Sequence, residues 1–189
     1  NVWILKLQNG LLGYATFPAG TSLPGVAGGG GPTNDGVVVG HNYFGSIGTA
    51  SASAPYNLGR TLAHELGHWL GLRHVWGDGN CLTDFCNDTP WAKQSNFGCP
   101  APPAYVNRCG AGQSPNGEMT MNFMDYTDDP CMYMFTPDQR TRMQTAMSQG
   151  TYRSLLGTHG LCAISNPSPA AAVAIFSLDV EPCLGKPFT

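Results

Sequence analysis

The hydrophobic pattern changes period along this chain, and the changes mark its elements. Val2 to Leu7 (VWILKL) reads as a strand, Asn9-Gly10 as the turn after it, and Leu11 to Phe17 as its hairpin mate. Pro18 to Pro32, with four consecutive glycines from Gly28 to Gly31, fits no regular element and lacks the strand-to-helix setting of a phosphate loop. Gly36 to Phe44 (GVVVGHNYF) is rich in β-branched and aromatic residues and predicts a further strand, with a loop of small residues from Gly45 to Pro55 behind it. From Leu58 the period becomes helical. Leu62, Leu66 and Trp69, joined by Ala63 and Leu70, fall on one face, and Gly71 is placed to end the helix in a left-handed turn. Residues 75–135 show almost no periodicity. Thr136-Pro137-Asp138-Gln139 is a capping box with proline at the first helical position, and predicts a helix to about Ser148 ahead of Gly150. The stretch NPSPAAA after Leu161 reads as a linker into a short tail.

Composition narrows the class. A chain of 189 residues, 42% hydrophobic, holds one globular domain with a tail. Charged residues make up only 11%, so solubility rests on Gly, Ser, Thr and Asn. The net charge of -3 and the lack of any basic run exclude a nucleic-acid partner. The longest apolar stretch, Ala170 to Phe176, is far short of the roughly 20 residues of a membrane span, and the N-terminus has no signal-peptide pattern, so a soluble, already processed chain is expected. Seven cysteines, set among Gly, Pro and Asn, suit disulfides and an oxidising, extracellular compartment. A structural zinc site would need paired close cysteines, and the nearest pair, Cys81 and Cys86, has no counterpart.

Residues 64–74 read HELGHWLGLRH, the pattern H-E-x-x-H-x-x-G-x-x-H. On a helix, His64 and His68 stand one turn apart on the same face and can reach one zinc ion, while Glu65 projects beside it without ligating. Gly71 lets the chain swing back so that His74 supplies a third nitrogen. Three ligands leave a fourth position open, as in a catalytic zinc site, and Glu65 is placed to take a proton from water and pass it to a leaving amine. With this chain's composition, the five fixed positions coincide by accident on the order of once in 100,000 such chains.

The extended motif is that of the metzincin metallopeptidases, and GRTLAHELGHWLGLRHVWGD, Cys81, DTP at 88–90, GCP at 98–100 and NFMDYTDDPCMYMFT closely resemble the pappalysin family of secreted endopeptidases. The resemblance runs from about Asn1 to Ser148. It implies His64, His68 and His74 as ligands of one catalytic zinc, Glu65 as base, Met124 as the Met-turn beneath the metal, and Tyr126 near the metal as a stabiliser of the oxyanion. Read alone, Met124 and Tyr126 are ordinary core residues. The resemblance also implies a calcium ion in the loop TDFCNDT, held by Asp84, Asp88 and Thr89 with Asp78 just upstream; without it, the loop reads as a solvated turn or a glycosylation acceptor at Asn87. It pairs Cys81 with Cys109 and Cys99 with Cys131. The nearness of Cys162 and Cys183 suggests a third bridge, which leaves Cys86 odd. In the pocket for the residue after the cut, Asp129, or alternatively Asp128, would attract Arg or Lys.

The expected architecture is an α/β zincin-like (metzincin) domain over residues 1–160. Its upper part (1–71) would be a twisted mixed sheet with the active-site helix above the cleft. Its lower part (72–160) would be irregular, disulfide-pinned and closed by a helix, with a linker and tail at 161–189. Its partners would be protein or peptide substrates. Metzincin domains begin with a strand and a backing helix that are not visible here, so the sequence reads as a processed fragment or a trimmed upper half. A non-catalytic adhesion module on the same scaffold is disfavoured by the presence of Glu65; a peptidase of another metzincin family would share the mechanism and differ in specificity.

Overall fold

The computed structural model describes residues 1–157. The linker, the tail and the Cys162–Cys183 bridge lie outside the described residues. Three short strands form one mixed sheet: β1 (Val2–Leu5), β2 (Gly13–Ala15) and β3 (Val37–Gly40), in the order β1-β3-β2. β3 pairs in parallel with β1, Val2 opposite Val37, and antiparallel with β2, Gly13 opposite Val39. The expected β1/β2 hairpin is therefore not made. Its turn does form, with Asn9 and Gly10 both at positive φ and Leu11 N–H donating to Gln8 O at 3.2 Å, but the strands splay to admit β3. The reason is burial. Val37, Val38 and Val39 are all buried, and a continuous apolar run covered on both faces belongs at the centre of a sheet. Val2, Ile4 and Tyr14, each about half exposed, suit the edges. β3 also stops at Gly40 rather than Phe44, and the chain continues as a 3₁₀ turn over His41–Tyr43.

Helix α1 spans Arg60–Trp69 and packs on β2 and β3. Its start has no cap of its own: Gly59 is left-handed, and Asp129, 69 residues on from Arg60, accepts from Leu58 N at 2.7 Å and Arg60 N at 3.3 Å. Its end is a Schellman turn. Gly71 takes φ +89, Leu72 N–H reaches back to Gly67 O (2.9 Å), and Gly71 N–H to His68 O (2.8 Å), as predicted for that glycine. The buried face is not the apolar stripe. Thr61, His64, Glu65 and Gly67 are buried, while Leu62, Leu66 and Trp69 are only partly covered.

Below α1 the chain is irregular, as the missing periodicity predicts. Among the described residues its core is Leu72, Val75, Trp76, Ala92 and Met124, with Phe135 and Met143 packed against it. Disulfides Cys81–Cys109 and Cys99–Cys131 close the long loops, and Cys86 is buried and free. A buried polar network ties the same loops: Asn96 Nδ2 donates to both Glu118 (3.0 Å) and Asp125 (2.9 Å), and Arg108 pairs with Glu118. Helix α2, Pro137–Gln149, carries both bonds of its capping box, Thr136 with Gln139. Beyond it Arg153 reaches back into the upper half, pairing with Asp35 and donating to Trp69 O (3.0 Å) and Thr16 O (3.1 Å).

Candidate metal centre and active-site cleft

Each histidine of the motif is oriented from behind. His64 Nδ1 lies 2.6 Å from Phe123 O, and His68 Nδ1 lies 2.8 Å from Leu72 O, the residue delivered by the Schellman turn. A carbonyl only accepts, so both Nδ1 atoms carry the hydrogen and both Nε2 atoms are bare lone pairs. His74 Nδ1 faces the Asp78 carboxylate, which gives the third ring the same orientation. The result is three Nε2 atoms turned on one point, with His68 Nε2 3.1 Å from that of His64 and 3.1 Å from that of His74. Three lone pairs at that range repel one another unless a cation sits among them. Nitrogens bound tetrahedrally at about 2.0–2.1 Å to zinc stand about 3.3 Å apart, so the triad fits zinc almost without adjustment. It is the one set of three or more His, Cys, Asp or Glu ligand atoms gathered this closely among the described residues.

Electrostatics favour the neutral form of the two histidines on α1. Burial, then the neighbouring rings, push His64 well below its ordinary value and His68 down to about 4. Hydrogen bonds from His74 and Arg73 outweigh burial at Asp78 and hold it at about 2, so it stays an anion. Glu65, next to His64 on α1, is buried and pushed up to about 8 by desolvation alone. Met124 is fully buried under Gly67, where any Cβ would collide with the Met124 sulfur. The Tyr126 ring stands beside the triad, 4.9 Å from the His74 ring and 5.5 Å from that of His64.

A cleft of about 300 Å³ opens beside His64 and Glu65. Its walls are the β1–β2 turn and the start of β2 (Gly10 to Gly13), the α1 face bearing Thr61, His64 and Glu65, and the chain after the Met-turn with Tyr126, Thr127 and Asp129. Asp129 lines it; Asp128 does not. One Asp129 oxygen holds the start of α1, and burial raises its pKa against those backbone hydrogen bonds.

The four oxygen ligands expected for calcium do different things. Asp84 and Thr89 do meet, with Thr89 Oγ1 2.7 Å from Asp84 Oδ1, and burial pushes Asp84 up to about 6. Asp88 instead accepts from Thr136 Oγ1 (2.6 Å) and Asp138 N (2.9 Å) at the head of α2, and Asp78 serves His74. The role of Asp78 went unread in the sequence because a bond four residues along a loop has no periodic signature. The same holds for Asn96, Asp35 and Arg153, whose partners come from remote segments.

The profile of the peptidase family described as pregnancy-associated plasma protein-A matches residues 1–148. An extracellular metalloprotease of Colletotrichum graminicola is 36% identical over 151 residues, covering 79% of this chain and 49% of the relative. Extracellular metalloprotease 1 of Coccidioides posadasii is 35% identical over 153 residues, again with 79% and 49% covered. The chain thus spans about half the length of these fungal relatives. Among solved structures, mature mirolysin of Tannerella forsythia in complex with a cleaved peptide aligns with TM-score 0.65 and 40% identity, over 82% of this chain and 57% of mirolysin. A promirolysin mutant from the same organism gives TM-score 0.71 at 39% identity, covering 88% and 52%. With its zinc-fitting histidine triad, buried Glu65 and buried Met124 set on that shared scaffold, the chain belongs to the pappalysin family of metallopeptidases.

Proposed function

We propose that this chain carries the catalytic centre of a secreted zinc endopeptidase that hydrolyses internal peptide bonds, with Arg or Lys preferred just after the cut. The observation that carries the reading is the convergence of three Nε2 atoms beside a buried glutamate that lines an open cleft. His64, His68 and His74 would hold zinc, which when bound acidifies water and polarises a carbonyl. This chain's own residues supply the rest. Glu65, buried beside the triad and lining the cleft, is placed to take a proton from water and return it to the departing nitrogen. β2 is an edge strand beside the cleft, so an extended peptide can add to it as a further strand. The Tyr126 hydroxyl is assigned to the negative charge that develops on the carbonyl oxygen. Asp129, with one oxygen spent on α1, offers the other to a basic side chain.

Secretion is supported by the two disulfides and by the extracellular relatives. No helix of the described residues is long and apolar enough to cross a membrane. A structural calcium belongs to the proposal through Asp84, a buried carboxylate answered by a hydroxyl and backbone N–H groups. The central test is Glu65→Gln. Zinc content should be unchanged and peptide cleavage should fall by at least about 10²- to 10⁴-fold, as for a lost general base; near wild-type turnover would overturn the mechanism. Sequencing the cuts made in a peptide library, with and without chelator, reads the preference.

A further inference from the structure

We infer that Gly13 is a positioning residue for Glu65, and that the space left by its missing side chain is the recess holding the carboxylate. Gly13 opens β2, is buried, and lines the cleft. Its φ lies outside the left-handed range, so the backbone itself makes no demand for glycine. The demand is one of contact. A Cβ at this position would sit 2.9 Å from Glu65 Cγ and 3.0 Å from Glu65 Oε1, and 2.9 Å from Val38 O on the adjoining strand. Carbon atoms do not approach so closely, and something must yield.

Two of the adjustments that could relieve the contact are blocked. β2 is fastened to β3 on both sides of it, through the Gly13–Val39 pairing and through Gly40 N–H donating to Leu12 O at 2.8 Å. α1 is fixed at its two ends by Asp129 and by the Schellman turn, and its histidines are held by backbone carbonyls. The contact with Val38 O is with fixed backbone and costs stability whatever Glu65 does; in the contacts with Glu65 the free partner is its side chain, which would rotate out of its recess while the three histidines stay. Gly10, a few residues earlier, makes the contrast: it has φ +73, and a methyl group added there would meet nothing within 4 Å, so glycine is needed there for backbone shape and not for contact.

This rests on the reading of Glu65 as the base, and the experiment separates the two. In the zinc-loaded protein, Gly13→Ala should keep stoichiometric zinc and a KM within about twofold, while kcat falls on the order of 10²-fold, the scale of a reacting group misplaced by about 1 Å. A strand displaced from its substrate would instead raise KM. The readout that needs no turnover is a thermal-unfolding cycle: Gly13→Ala should lower Tm less in a Glu65→Ala background, where only the contact with Val38 O remains, than in the wild type. Unchanged kcat, or a Tm loss undiminished in that background, would overturn the inference. Should Glu65→Gln prove active, the base assignment fails, and the unfolding cycle still reports whether Gly13 holds Glu65.

Discussion

Replacing Asp35 by alanine should be the most destabilising single change remote from the metal. Asp35 is buried at the end of the loop before β3 and is the acceptor for Thr16 Oγ1 (3.2 Å), Trp69 Nε1 (3.2 Å) and the guanidinium of Arg153. Arg153 has no exposed surface at all. Its other hydrogen bonds go to two main-chain carbonyls, Trp69 O and Thr16 O, and its guanidinium lies over the Trp69 ring at 4.3 Å, none of which carries a full charge. Without Asp35, a buried cation loses its counter-ion. Removing one partner of a buried pair costs about 3–5 kcal/mol, against a total stability of about 5–15 kcal/mol. For a domain of this size that is a fall in Tm of roughly 6–20 °C. The effect should reach the active site, because Trp69 is the last residue of α1, the helix that bears His64, Glu65 and His68. The assay is urea unfolding of zinc-loaded protein for Asp35→Ala, Arg153→Met and the double variant. The two changes should be non-additive by about 2 kcal/mol, since the methionine removes the charge that alanine strands. Additivity within about 0.5 kcal/mol, or a single loss under about 1 kcal/mol, would refute the reasoning.

Asp129→Asn keeps an acceptor for Leu58 and Arg60 N–H but loses the charge, so α1 and zinc should persist while kcat/KM for Arg or Lys after the cut falls about 10- to 100-fold relative to apolar residues; an unchanged cut-site profile would remove Asp129 from specificity. Asp84 has its folded pKa raised to about 6 from 3.8, so its ionisation opposes folding: the wild type should lose stability relative to Asp84→Asn as pH rises from 4 to 7 in calcium-free buffer, by on the order of 3 kcal/mol. Calcium should cancel that loss, and denaturation midpoints that track each other at every pH, with and without calcium, would dismiss both the shift and the ion. Chelation should abolish cleavage and lower Tm, because zinc bound to the folded triad at 1,000 times its Kd adds about 4 kcal/mol; a chelated protein with unaltered melting would mean that the triad holds no metal.

The chemistry of this protein is written in contiguous residues. HELGHWLGLRH needs only a helical turn and a left-handed glycine to gather its ligands, and both are local properties: Gly71 does take φ +89, and the turn it makes delivers Leu72 O to His68. The capping box at Thr136 is local too, and α2 forms where it predicts. The sheet order is different in kind. The Asn9-Gly10 turn forms, yet pairing energy lies in burial, and β3, with its three buried valines, outcompetes β2 for the place beside β1 only when the whole sheet is assembled. The apolar stripe of α1 misled for a related reason: its side chains record what that face could bury, while the polar face is buried because the cleft, the Met-turn and β2 close over it. Asp78 beside His74, Asp129 at the start of α1, and Arg153 on Asp35 across 118 residues are all charged groups whose partners no periodic pattern announces. A charge in a loop has many satisfactory partners at the level of sequence. Tertiary packing decides among them by excluding water, after which each buried polar group must take the partner within reach.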